Sequence, residues 1–215
     1  MPSTERGART RALIVAGASE LFVERGFDAT SIGDVVDRVG ITKGAFYFHF
    51  DSKVQLAQEV VEGYRNFLRM LQRDAAAAEA EPLRRVARVL LPLASSFQSS
   101  HISRAATRLL EESNQLELVP VMKVHMPWWH AVLAEAAARD QLRGLDDLDA
   151  FVWAINAAVY GTISNGYAAS RWADLPQRMS NLIRFFLIPS LTTEAAAMVA
   201  TQLDGPPQLV GDPTR

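Results

Sequence analysis

The stretch GITKGAFYFHFDSK, Gly40–Lys53, sets four aromatic rings, two lysines and a histidine behind a glycine. Packing alone accounts for the rings but not for the polar groups among them. Thr42 is a good N-cap, so a short helix starts at Lys43. On that helix Phe46 and Phe50, four residues apart, share one face and are expected to bury against the preceding helices. Phe48 falls on the opposite side. Tyr47 keeps a hydroxyl, His49 a ring N–H and Lys53 an ammonium, all suited to phosphate oxygens. The first turn carries Lys43, Gly44 and Ala45, slim enough for the backbone to approach base edges. There Lys43 can donate to guanine or to phosphate, and Ala45 can meet a thymine methyl. One helix in so small a unit cannot bury every side, so Tyr47 and Phe48 are expected outside.

The residues before and after this stretch have the same helical spacing. In TSIGDVVDRVG, Thr30–Gly40, Ser31 with Asp34 makes a capping-box start. Ile32, Val35, Val36 and Val39 supply a buried face, and Gly40 a stop. Upstream, an apolar stripe of Leu13, Ile14, Ala18, Leu21 and Phe22 predicts a helix from about Thr10, ended by Gly26. Downstream, Ser52 with Gln55 repeats the capping signature and launches a long helix to about Arg73. A longer helix followed by two short ones across a glycine turn is a helix-turn-helix.

Bulk composition narrows the alternatives. The chain has 215 residues, 49% hydrophobic and 21% charged, with no cysteine. Disulfides, thiolate metal sites and cysteine nucleophiles are therefore excluded. The basic start MPSTERGARTR is followed by no apolar stretch, so a signal peptide is not expected. The most apolar run, AFVWAINAAVYGTI, is broken by Asn156 and Gly161 and falls short of the roughly 20 residues that span a bilayer. The reading is a soluble, cytoplasmic protein. The net charge is −2, and residues 1–53 hold seven Arg or Lys against seven Asp or Glu, so any nucleic-acid affinity depends on where charges sit.

Nothing in the chain assembles a catalytic constellation. The histidines, His49, His101, His125 and His130, form no helical metal pair, and no nucleophile elbow or phosphate-binding glycine loop occurs. The expectation is a non-enzyme without cofactor or metal.

Beyond residue 80 the helices continue. Pro82 sits at a first-turn position and Pro92 inside a helix, predicting a kink. Pro120 and Pro127 are expected to flank an irregular region before WWHAVLAEAAARDQL, and Asp174 with Gln177 to start LPQRMSNLIRFFLIPSL. The segment around Phe151, Val152, Trp153, Ile155, Val159, Tyr160 and Ile163 is apolar on nearly every side and needs cover on two. A second copy of the chain supplies it, through helices near 147–170 and 174–190, giving a homodimer. The alternative is burial in a larger monomer core. A pocket for a small apolar effector is read from Phe97, Leu109, Leu110, Met122, Trp128 and Trp129, with Asn156 and Thr162 as orienting polar groups. The predicted organisation is all-α. A helix-turn-helix domain occupies 1–53, with an N-terminal arm at 1–9. A helical ligand-binding and dimerisation domain covers 54–203, and a disordered tail 204–215.

TSIGDVVDRVGITKGAFYFHFDSKVQLAQEVV resembles the DNA-binding domain of the TetR family of transcriptional repressors over the first third of the chain. The resemblance implies that Ser31, Thr42, Tyr47, His49 and Lys53 grip phosphates of a double-stranded operator, while Lys43, Gly44, Ala45 and Phe48 face bases. Gly33 stands where some members place a long base-reading side chain. Arg6, Arg9 and Arg11 are either an arm into the minor groove or solvated terminal charges. TKGAFYFHF is similar to the γ-butyrolactone-receptor branch, whose members sense lactone autoregulators and control antibiotic production. They carry a pocket tryptophan in the region of Trp128 and Trp129; ungapped register places it near His125. The resemblance implies a palindrome-binding dimer released by ligand, the movement passing through the helix that starts after Ser52. A pseudo-receptor answering to an antibiotic or biosynthetic intermediate, and a constitutive DNA-binding regulator, are the alternatives.

Overall fold

The computed structural model describes residues 2–112 and 122–204, with side chains from Glu5 in the first stretch and from His125 in the second. Among them ten α-helices form: α1 Pro2–Arg25, α2 Ile32–Val39, α3 Lys43–His49, α4 Lys53–Ala78, α5 Pro82–Ser99, α6 His101–Glu111, α7 Met122–Ala138, α8 Leu148–Ser170, α9 Leu175–Leu182 and α10 Thr193–Leu203. A π-helical turn, Ile183–Leu187, and a 3₁₀ turn, Ile188–Ser190, follow α9. No strand forms among the described residues; Leu142 and Leu191 make one isolated antiparallel bridge. The fold is all-α, with an N-terminal helix-turn-helix followed by further helices.

The chain divides into two compact units, the first formed by Met1–Asn66 and the segment from Ser99 that carries α6. Its core is Ile14, Leu21 and Phe22 of α1, Val35 and Val36 of α2, Phe46, Phe50, and Leu56 and Val60 of α4. α1 packs on both α2 and α6. The α1–α2 contact is close enough that a Cβ on Gly17 would lie 2.6 Å from the Val39 side chain, so only glycine fits there. α1 begins at Pro2, not near Thr10. Its first two turns carry little apolar surface, and an apolar stripe marks only the buried part of a helix.

Local signals set the helix-turn-helix itself. Ser31 and Asp34 complete a reciprocal capping box at the start of α2. Gly40 ends α2 in the left-handed region, φ 72°, which costs a side-chain-bearing residue about 1–2 kcal/mol. Thr42 caps α3 by accepting from the Ala45 N–H at 3.1 Å. Ser52 likewise accepts from the Gln55 N–H at the start of α4.

The second unit contains Phe67–Gln98 and the chain from Val121. α7 packs on α8, and α8 on α9. α5 runs on through Pro92, whose ring removes one backbone bond; the hydroxyls of Ser95 and Ser96 donate to the carbonyls of Leu91 and Leu93 nearby. α7 starts at Met122 and runs through Pro127, so the irregular region expected up to that proline is corrected. Pro127 is the sixth helical residue, just past the four N–H groups that lack intrahelical partners in any case, and its presence costs one bond.

The α9 start is placed as expected, but its cap differs. The Asp174 side chain makes no cap bond; it accepts instead from Arg178 Nε at 2.8 Å and from the Ser170 hydroxyl. Those two bonds, Arg178 first, lower its carboxyl to about 2. At the end of α8, Arg171 and Trp172 both take positive φ, and the buried Trp172 indole donates to Ile163 O at 2.8 Å.

Candidate nucleic-acid interface and effector residues

α3 divides its side chains as its spacing requires. Phe46 and Phe50 are 0% and 1% exposed and contact each other at 5.9 Å, so each contributes up to about 3 kcal/mol of burial that fixes the helix in place. Phe48 is 83% exposed and Tyr47 53%. The Tyr47 ring rests edge-on against Phe46 at 5.4 Å, and the His49 ring edge-on against Phe48 at 5.1 Å. Lys43 and Gly44 are exposed at the first turn, and Ala45 is half-buried beside them.

The hydroxyls expected on phosphates are placed differently. Thr42 Oγ1 accepts from a backbone N–H, which leaves its own proton to give. Ser31 Oγ both accepts from Asp34 N–H and donates to the Asp34 carboxylate. That hydroxyl bond, followed by the Ser31 backbone N–H, holds the Asp34 carboxyl below its ordinary range. Lys53 Nζ lies 2.7 Å from Phe27 O and 4.2 Å over the Phe27 ring, so one of its three protons is committed inward.

The balanced charge of this unit resolves into pairs. Arg38 bridges Glu20 at 2.8 Å and Glu24 at 3.0 Å, and Arg25 meets Asp34 at 3.2 Å. Arg11 donates to His49 O at 3.0 Å, pairs with Glu59 at 2.8 Å and lies over the Phe50 ring at 4.3 Å. It is a clamp between α1, the end of α3 and α4 rather than an arm. Arg6 and Arg9 are exposed along α1. Glu20, Glu24, Asp34 and Glu59 are thus paired with arginines, and Lys43 stands exposed on α3.

In the second unit Phe97 and Trp129 are fully buried, Asn156 is 6% exposed and Trp128 half-buried. Leu110 belongs to α6 in the first unit and is half-buried. The Met122 side chain lies outside the described residues, as does 205–215 of the tail. Thr162 returns its hydroxyl to Ala158 O. Sequence reasoning passed over His125 as a site residue. Its signal was the i,i+4 spacing to Trp129, which puts both on the buried face of α7 with Val132, Leu133 and Ala136. Among the described residues no three His, Asp or Glu side chains come together to hold a metal ion, and no helix is long and apolar enough to cross a membrane.

Residues 14–60 match the family model described as bacterial regulatory proteins, tetR family. The A-factor receptor protein of Streptomyces griseus is 29% identical, over 89% of this chain and 67% of that protein. A crystal structure of a γ-butyrolactone receptor, ArpA-like, is 25% identical with a TM-score of 0.79, covering 92% of this chain and 96% of the other. A structure described as the molecular basis for control of antibiotic production by bacterial hormones is 30% identical with a TM-score of 0.78, covering 86% and 98%. Helix-turn-helix geometry, the family match and structural likeness over 86–92% of the chain agree: the chain belongs to the TetR family of bacterial transcriptional regulators, with γ-butyrolactone receptors among its structural neighbours.

Proposed function

We propose that this protein is a ligand-responsive repressor that binds a palindromic operator as a homodimer and is released by a small, largely apolar effector of the γ-butyrolactone type. The observation that carries the DNA reading is α3 itself. A 7-residue helix is pinned by Phe46 and Phe50 while presenting Lys43, Tyr47 and an 83% exposed Phe48. A phenylalanine so exposed beside a lysine and a threonine hydroxyl fits sugar and thymine methyls between phosphates. The DNA-contacting set is Thr42, Lys43, Gly44, Ala45, Tyr47, Phe48, His49 and Lys53, with Ser31 joining when its hydroxyl turns from the Asp34 carboxylate to a phosphate, and no catalytic group is required.

The homodimer is supported by the outward side of α8 and the π turn. Trp153 is 61% and Tyr160 48% exposed on α8, and Phe185, 73% exposed, lines a groove of about 510 Å³ with Gly161, Leu182 and Phe186. An exposed aromatic patch of this kind marks a protein interface, and two copies related by a two-fold axis cover it.

Duplexes selected from a random pool test the reading. The full chain should enrich a palindrome and bind it with affinity that falls steeply as salt rises. Lactones should then release the protein, and an effector favouring the released state by about 3 kcal/mol loosens DNA roughly a hundredfold. Enrichment of a non-palindromic half-site, or a complex that no lactone disturbs, would count against it.

A further inference from the structure

A groove of about 510 Å³ lies beside α1, with α4 and α6 as its other walls. Its lining belongs wholly to the first compact unit, and the effector residues read in the second unit take no part in it. The two ends of the groove differ. Arg9, Arg11 and Glu59 stand at one end, where Arg11 and Glu59 pair at 2.8 Å and join α1 to α4. One turn further along α4, Gly63 faces Ile102 of α6; a Cβ on Gly63 would lie 3.7 Å from the Ile102 side chain. The α1 wall between the ends is apolar, and its Leu13 is 53% exposed.

Charge and size restrict what fits. Glu59 is committed to Arg11, whereas Arg9 is exposed and makes no ion pair among the described residues. Two guanidiniums against one carboxylate leave a positive charge at the head of an apolar trough, which calls for an anionic group with an aliphatic body behind it. The volume lies within the range of about 300–1,000 Å³ found for small-molecule pockets. From Ala8 to Ala16, α1 advances about 12 Å, roughly the reach of an extended chain of ten bonds.

We propose that the groove between α1, α4 and α6 binds a medium-chain aliphatic carboxylate, its head on Arg9 and its chain along Leu13 towards Ile102. The site itself does not depend on the effector reading above; its consequence for DNA rests on the reading of α3. Arg11 also donates to His49 O at 3.0 Å and lies over the Phe50 ring at 4.3 Å. A carboxylate at this end competes with Glu59 and His49 O for the Arg11 guanidinium, which loosens the end of α3 and weakens operator binding.

The test uses the full chain with decanoate, decanol and butyrate below micelle-forming concentrations. Two variants change exposed positions of α1: Arg9→Gln removes the unpaired charge, and Ala12→Phe fills the groove. Both should melt within about 2 °C of wild type; if Ala12→Phe melts lower, Arg9→Gln alone decides. In calorimetry the wild type should bind decanoate about tenfold tighter than decanol and at least a hundredfold tighter than butyrate. Arg9→Gln should lose about tenfold of decanoate affinity while binding decanol as before, and Ala12→Phe should lose both. Equal binding of decanoate and decanol, no binding of decanoate, or decanoate affinity unchanged in either variant overturns the site. Saturating decanoate should also weaken wild-type binding to a selected duplex about tenfold. Decanoate held in the groove with DNA affinity unchanged overturns the coupling through Arg11. A chain that binds decanoate as stated but selects no duplex overturns the DNA reading and leaves the groove site standing.

Discussion

Among the described residues, exposed aromatic side chains occur on α3 and on α8 with the π turn, and the two sets differ in what surrounds them. On α3, Phe48 and Tyr47 stand among Lys43, Thr42 and His49. On α8 and the π turn, Trp153 and Tyr160 are exposed, and Phe185 lines a groove with Ala158, Gly161, Asn165, Asn181, Leu182 and Arg178. An aromatic set interleaved with cationic and hydroxyl groups matches a surface that alternates apolar sugars with anionic phosphates. An aromatic set among largely neutral residues matches another protein surface, which is what the proposed homodimer would bring to it. Exposure alone does not tell the two apart; the neighbours do.

The sharpest way to break this comparison is to charge the second patch. Trp153→Glu with Phe185→Glu should abolish self-association, seen in sedimentation as a monomer, and lower palindrome affinity by a hundredfold or more through loss of the second recognition helix. A dimer that survives both changes would move the interface elsewhere.

Next in size is a contrast within α3. Phe46→Ala removes a fully buried ring and should destabilise the protein by about 3–5 kcal/mol in chemical denaturation. Phe48→Ala, at 83% exposure, should leave the unfolding midpoint within about 0.5 kcal/mol. Similar losses from the two would mean that Phe48 is packed and does not belong to a reading surface.

Smaller effects separate roles on that surface. Tyr47→Ala should weaken binding to every sequence alike. Lys43→Ala should cost about 1–3 kcal/mol and relax preference at one base pair. A loss that only flattens the salt dependence would reassign Lys43 to a phosphate.

The last effect is one of pH. His125 titrates near 4 in the folded chain, below its ordinary 6.5. The unfolded state therefore takes up a proton first as pH drops, so stability should fall between about 6.5 and 4 and level off below. His125→Leu should remove that part of the acid sensitivity in melting curves. Asp174, lowered to about 2, acts in the next window, where stability is lost as pH falls from the ordinary carboxylate range towards 2.

The helix-turn-helix was legible because its determinants are local. The Ser31–Asp34 box, Gly40 and Thr42 each act within four residues, and the structure places each as the spacing implied. What escaped depends on distant partners. Arg11 reads as a loose basic residue until α3 and α4 supply His49 O, Glu59 and the Phe50 ring. Asp174 reads as a cap until Arg178 and Ser170 outbid the backbone for its carboxylate. The Lys53 ammonium points inward because the Phe27 carbonyl and ring lie beneath it, 26 positions away in sequence. The π turn at Ile183–Leu187 has no pattern of its own, since an apolar run fits either helical winding. The α8 stripe was visible, but which of its aromatics stay outside follows only from what α7 and α9 cover.

The most direct measurement is the affinity of wild type and Phe48→Ala for a duplex selected by the wild type, with a melting curve for each protein. The account predicts that Phe48→Ala binds at least tenfold more weakly while melting at the wild-type temperature. Equal affinity of the two would show that the outward face of α3 does not read DNA.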